Sequence, residues 1–208
     1  MKGNMIQKDN FLLFADENVE IVALPGQVVE AFGLFTEGGQ KEVDLKIFGE
    51  NVRITFTALV LLESEKALTL RTSQIHRSGG SVSDILVKSV LKGRSDFQFT
   101  GKIRIEKKAN KSDAFQRNDN LIIGAGATAR SEPQLEILAH DVRCTHAATT
   151  RPVSEDVFWY LMTRGIKKIQ AGELEAAGFV RGVLDRTRDS VFRSKMEDLL
   201  KKTSIEDY

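Results

Sequence analysis

Cysteine is almost missing from this chain: Cys144 is the only one in 208 residues. An internal disulfide is therefore excluded, and the composition fits a reducing, cytoplasmic setting. Net charge is almost missing too. The 30 Lys and Arg against 29 Asp and Glu leave +1, so no global field draws the chain to nucleic acid or to an anionic membrane. No apolar run approaches the roughly 18 residues of a membrane-spanning helix. The opening stretch MKGNMIQKDNFLLFADENVE has too short an apolar centre for a secretory signal. Asn-Gly and Asp-Gly, the strongest hairpin signals, do not occur, which disfavours a tight meander.

What is present is alternation. Val43/Leu45/Ile47, Val52/Ile54/Phe56, Leu68/Leu70, Ile85/Val87, Phe97/Phe99, Ile103/Ile105 and Leu135/Ile137 all repeat with period two. Each reads as a strand with one buried face. Gly38-Gly39, Gly49, Ser78-Gly79-Gly80, Gly93 and Gly101 punctuate them as turns of positive φ. Strands without intervening helices make an all-β body. Sandwich, barrel and β-solenoid all fit the pattern, and no internal repeat decides among them. Residues 18–35, with Pro25 and Gly26 at a turn, read as further strands. The polar segment around Asn110 to Asn120 reads as a solvated corner, and His76 and His140 as solvated histidines.

After Pro152 the period changes. Ser154 suits an N-cap, with Glu155 and Asp156 in the first turn. Phe158, Leu161 and Met162 share a face, and Gly165 closes a short helix. A second helix is expected over 170–188, with Leu174, Ala177, Val180 and Leu184 as its stripe. A third is expected over 190–202, with Phe192, Met196, Leu199 and Leu200 inward; the tail 203–208 reads as frayed. The division is thus a β body over 1–150 and a small helical module over 151–208.

The chemistry concentrates where the two patterns meet. On a strand, Cys144 and His146 point to one face, while Asp141, Arg143 and Thr145 point to the other. A soft thiolate beside an imidazole is a pair that transition metals accept, and nearby basic residues would favour the thiolate. One cysteine cannot hold a cluster that takes four protein ligands, mostly thiolates, so any cluster here would be shared with a second chain or bound transiently through few ligands. The plain alternative is a buried cysteine acting as a small hydrophobe. Gly124-Ala125-Gly126-Ala127 lacks the Gly-Lys-Ser/Thr ending of a phosphate loop, so no nucleotide is expected on this chain. The basic run Lys102 to Lys111 alternates with apolar residues and reads as a solvated face.

The segment Asp141-Val142-Arg143-Cys144-Thr145-His146-Ala147-Ala148-Thr149 resembles the Cys-Ser-His-Gly-Ala-Thr motif of the SufB/SufD family, the scaffold proteins of SUF iron–sulfur cluster assembly. Asp113-Ala114-Phe115-Gln116, Asn120-Leu121-Ile122-Ile123 and Pro133-Gln134-Leu135-Glu136-Ile137 resemble the family's approach to that motif. Val157-Phe158-Trp159-Tyr160-Leu161, Arg164-Gly165-Ile166 and Gly178-Phe179 resemble its exit.

The resemblance implies a mainly β fold: a right-handed parallel β-helix (β-solenoid) followed by a small C-terminal α-helical module. It implies a non-catalytic cytoplasmic scaffold, paired with a second SufB/SufD-type chain as a homo- or heterodimer. A nascent, transient iron–sulfur cluster would sit at the shared interface, with Cys144 and His146 as ligands. It further implies a SufC-like ABC ATPase partner docking on the helical module, in the region of Glu155, Phe158, Arg164, Gly165 and Phe179. Neither nucleic acid nor membrane is implied.

Departures qualify the match. Ala147 replaces the motif glycine, and the chain is short for the family. It has no second cysteine to take sulfur as the SufB branch does, which places it nearer SufD, whereas Thr149-Thr150 is more SufB-like. Two other readings stand beside this one. One is a structural β-solenoid without metal. The other is a pectin-lyase-like enzyme, which needs clustered carboxylates among Asp44, Glu63, Asp84, Asp96 and Asp113.

Overall fold

A computed structural model of the chain describes residues 6–8, 11–201 and 203. The strands form two parallel sheets that alternate along the chain, so the backbone coils as a β-solenoid. One sheet runs β1-β2-β4-β6-β8-β10-β12, built from Ile6–Lys8, Phe11–Ala15, Val28–Phe35, Arg53–Leu62, Val82–Lys92, Asp113–Ile123 and Arg143–Pro152. The other runs β11-β9-β7-β5-β3, built from Thr128–Ile137, Asp96–Ile105, Ala67–His76, Gly39–Ile47 and Val19–Ala23. Only β1 against β2 is antiparallel among the described pairs.

Register stacks like positions into columns through the coil. Ile54, Ser83, Ala114 and Cys144 form one column, and Phe56, Ile85, Gln116 and His146 the next. The apolar end of the lumen is filled by Phe14, Phe35, Phe56, Phe97, Phe99, Leu45 and Ile47, each almost fully buried. Phe14 stacks on Phe56 at 5.8 Å between ring centroids. A buried aromatic of this kind stabilises the fold by about 3 kcal/mol against truncation.

Two glycines differ in meaning. Gly93 has φ +68° and closes a turn against Ser64. Gly101, expected as a turn, instead lies in the middle of β9, so Phe97/Phe99 and Ile103/Ile105 belong to one strand. Its bare Cα leaves room for the Gln116 side chain, whose Nε2 would lie 2.2 Å from a Cβ there.

The helices are α1 (Glu155–Met162), α2 (Lys168–Leu184) and α3 (Ser190–Leu200). The side chain of Ser154 accepts from Asp156 N at 3.2 Å, and that of Asp189 from Phe192 N at 2.7 Å, so both caps follow from residue type. Helices α2 and α3 cover the outer face of the larger sheet. Ala176, Val180, Val183, Leu184, Phe192 and Met196 pack there on Phe32, Leu59, Leu61 and Val90. The α2 stripe holds at Val180 and Leu184, but its first half is rotated from expectation: Ala171, Gly172 and Ala176 are buried, while Leu174 is exposed. The sheet face is continuously apolar, so it accepts the small residues of α2 at closest approach. The expected frayed tail falls outside the described residues, apart from Thr203.

Candidate functional site

Both sheets end on the last turn of the coil, where β11 and β12 are edge strands. Nothing stacks on them among the described residues, and most of their side chains are exposed. Leu135, Ile137 and Leu138 leave 42%, 42% and 45% of their surface in water there. An apolar, unpaired edge of this length is an association surface unless it is covered.

Cys144 and His146 lie in this last strand, directly over Ala114 and Gln116 of β10. Those two are buried lumenal residues, so the strand alternation places the thiol and the imidazole on the lumenal side as well. Cys144 is half-buried and packs with Ile103, Ile105, Ala109, Ala114, Ala139 and Val142. His146 is exposed at the mouth. The expectation of a thiolate favoured by basic neighbours is overturned: burial pushes the Cys144 thiol up, and the Asp113 carboxylate adds to it. Arg143 sits beside Asp113 in register but on the outer face, so it does not offset the apolar setting of the sulfur. Among the described residues no group of three or more His, Cys, Asp or Glu could hold a metal ion. Cys144 and His146 thus place one sulfur and one nitrogen on the same face, two donors fewer than a tetrahedral metal set takes.

Behind the site the lumen turns polar. Asn118 and Asn120 bond each other through both amides, at 3.1 and 3.0 Å. Asn120 also accepts from Ser89 Oγ at 2.7 Å and donates to Thr150 Oγ1 at 3.0 Å. The expected solvated corner at 110–120 is thus confined to Asn110 and Lys111; from Asp113 the chain is strand, with Gln116, Asn118 and Asn120 buried. Asn118 and Asn120 are tolerated because the network gives them partners, whereas Gln116 Oε1 has none.

His76 is likewise buried, not solvated. Its Nδ1 lies 2.9 Å from Ser81 Oγ and its Nε2 2.7 Å from Ser83 Oγ, while Ser83 donates to Gln74 Oε1 at 2.6 Å. Burial lowers its pKa from 6.5 to about 4. His140 is exposed as expected, its backbone N–H donating to Asn110 Oδ1 at 3.2 Å. The period-two runs Gln116/Asn118/Asn120 and Thr72/Gln74/His76 carried the signal for an inward polar face, masked by their hydrophilic composition.

In the helical module, Glu155, Arg164 and Gly165 are exposed. Phe158 is buried with Leu121, Val153 and Ala171, and Phe179 packs against the same cluster, so their side chains bind the module together. Its exposed large apolar residues are Trp159, Tyr160, Met162, Ile169, Leu174 and Val191. The carboxylates a β-helix polysaccharide enzyme would need are dispersed. Asp44 accepts from Ser73 on the outer face of the smaller sheet, whereas Asp84 pairs with Arg186 at 2.7 Å on the larger.

The family model described as SUF system FeS cluster assembly, SufBD core domain, matches residues 33–179. The chain belongs to the SufBD core domain family. The match to the SufBD model runs from β4 to α2, so it takes in both edge strands and the Cys144–His146 pair. The chain is 29% identical over 148 residues to the iron–sulfur cluster assembly protein SufD of Escherichia coli, covering 71% of this chain and 35% of that protein. It is 30% identical over 156 residues to the SufD of Bacillus subtilis, covering 74% and 36%. It is 26% identical over 137 residues to the SufBD family protein ycf24 of Porphyra purpurea, covering 66% and 28%. The chain thus spans about a third of the length of these SufBD relatives. No helix among its described residues is long and apolar enough to cross a membrane.

Proposed function

We propose that this chain is a non-catalytic scaffold subunit on which an iron–sulfur cluster is built at the junction with a second scaffold chain. Cys144 and His146 side by side on the lumenal face of an uncapped edge strand carry this reading. Edge-to-edge pairing of β12 with the β12 of a second chain would extend the larger sheet across the junction, as unpaired strands favour. In a symmetric pair a two-fold axis through Thr145 sets Cys144 of one copy opposite His146 of the other. Residues opposite each other in an antiparallel pair point to the same side, so four donors gather on one face. The cluster is the cargo of such a site. Docking also buries the thiol further, and only a bound cation makes its deprotonation favourable.

Helices α1 to α3 form the module that faces a SufC-like ABC ATPase. Trp159 and Tyr160 offer exposed aromatic anchors, flanked by Glu155, Arg164 and Gly165. In this reading the ATPase binds the nucleotide, and the work takes place in the cytoplasm. The test is anaerobic co-expression with a SufC-like ATPase and a second SufBD chain. The reading expects a complex that carries iron and acid-labile sulfide. A complex that assembles without either, or a chain that captures neither partner, contradicts it.

A second reading has one specific support: Cys144 packs among five buried apolar residues and holds its proton tightly. A metal-free interaction solenoid would keep that packing and show no iron in the same preparation.

A further inference from the structure

Gln116 is fully enclosed yet half-satisfied. It lies one turn beneath His146 in the same lumenal column, about 4.8 Å away by the spacing of adjacent strands. Its side chain crosses the lumen over Gly101, where Nε2 donates to Gly101 O at 3.4 Å. Its Oε1 is buried and has no hydrogen-bond partner, a costly state for an amide oxygen. Ala114, under Cys144, offers no polar side-chain atom. Pro133 stands above Gly101 on the opposite sheet and has no N–H to give. The ring of His146 is therefore the N–H donor that the last turn can offer. From below, the buried Thr72 hydroxyl, also unpartnered, is the competitor; it lies one turn under Gly101.

We propose that Gln116 is the positioning residue of His146: the exposed ring, which makes no bond to Oε1 in this structure, turns toward the lumen so that Oε1 accepts its N–H and fixes the tautomer that leaves the other nitrogen's lone pair free at the mouth of the coil. A neutral imidazole carries one donor and one acceptor nitrogen, and the partner of the first decides which is the second. Metal-ligating histidines are held in this way by an acceptor behind them. The purpose rests on the cluster-scaffold reading, but the hydrogen bond does not.

The experiment is ring-nitrogen NMR on the full chain, metal-free and labelled with 15N-histidine, at a pH where imidazoles are neutral. His146→Ala assigns the signal, and exposed His140 serves as the internal reference. One His146 tautomer should exceed the other by about tenfold more than at His140, the bias one well-made hydrogen bond supplies. Gln116→Met keeps the side chain's shape without an acceptor and should return His146 to the His140 ratio. Gln116→Glu should keep the bias, and Thr72→Val should leave it unchanged. A wild-type His146 ratio equal to that of His140 overturns the proposal even if Gln116→Met fails to fold. So does an unchanged bias in a well-dispersed Gln116→Met chain. A fixed tautomer in a protein that never acquires iron would leave this inference standing and remove the scaffold reading alone.

Discussion

Asp113 of β10 lies one strand away from Cys144 of β12 and, together with burial, holds its thiol protonated. The cysteine of the isolated chain is accordingly poorly nucleophilic at neutral pH. Asp113→Asn removes one of the two causes and should speed alkylation by iodoacetamide several-fold at pH 7.5. The rate should rise with pH in both proteins. An identical rate profile in wild type and Asp113→Asn would show that the carboxylate has no influence on the thiol.

The buried His76 makes stability depend on pH. Its folded pKa, about 4, lies below the ordinary 6.5, so the unfolded chain binds more protons between those values. Stability is complete above pH 6.5 and falls as pH drops toward 4. The gap between 6.5 and about 4 is worth about 3 kcal/mol at most. Urea unfolding from pH 7 to 4 should show that decline, and His76→Gln should flatten it. An equally steep decline in His76→Gln would assign the acid lability to other groups.

Gly101 and Gln116 are complementary in shape. Gly101→Ala drives a methyl into the Gln116 amide, whose nearest atom is 2.2 Å from the Cβ position. Overpacking of this kind costs about 1–3 kcal/mol. Adding Gln116→Ala should recover part of that loss in a double-mutant cycle measured by denaturant unfolding. Additive losses would mean that the two side chains do not meet.

The uncapped end should govern association. Leu135→Asp and Ile137→Asp place charge at the uncapped end of β11, where each side chain still stacks on Ile103 or Ile105, so each should cost about 1–2 kcal/mol and leave the coil folded. The scaffold pair, whether of two copies or of two different chains, should nevertheless come apart in sedimentation analysis. Trp159→Ala should instead weaken ATPase capture and leave the scaffold pair intact. Loss of both contacts by either variant would merge two surfaces that the fold keeps apart.

Much of this molecule was legible from period-two alternation. Val43/Leu45/Ile47 and Phe97/Phe99 are lumenal as their pattern required, and Ser154 caps α1 as its type required. Parallel stacking was not legible, because a strand's own residues do not reveal its neighbour; the family resemblance supplied it. Cys144 and His146 share a face because strands alternate, and that too was readable. The electrostatic setting of the thiol was not, since Asp113 reaches it only through register 31 residues later in the coil, Ala114 pairing with Cys144. The buried polar ladder was misread for a physical reason. Gln116, Asn118 and Asn120 look solvated by composition, but Asn118 and Asn120 find partners on other turns and Gln116 reaches the Gly101 carbonyl across the lumen. Gly101 looked like a turn because room made for a distant side chain leaves no local trace. Leu174 looked inward because its helix lies on a sheet face that admits Ala and Gly at closest approach.

The central claim, that one sulfur and one imidazole from this chain touch iron at the junction of two scaffolds, is tested most directly by nitrogen hyperfine spectroscopy. The sample is the reduced cluster of the anaerobically isolated complex, with histidine labelled in this chain alone. The account predicts a strongly coupled histidine nitrogen that vanishes in His146→Ala, and no cluster at all in Cys144→Ser. A cluster of unchanged iron content in Cys144→Ser, or a nitrogen coupling that survives His146→Ala, would contradict it.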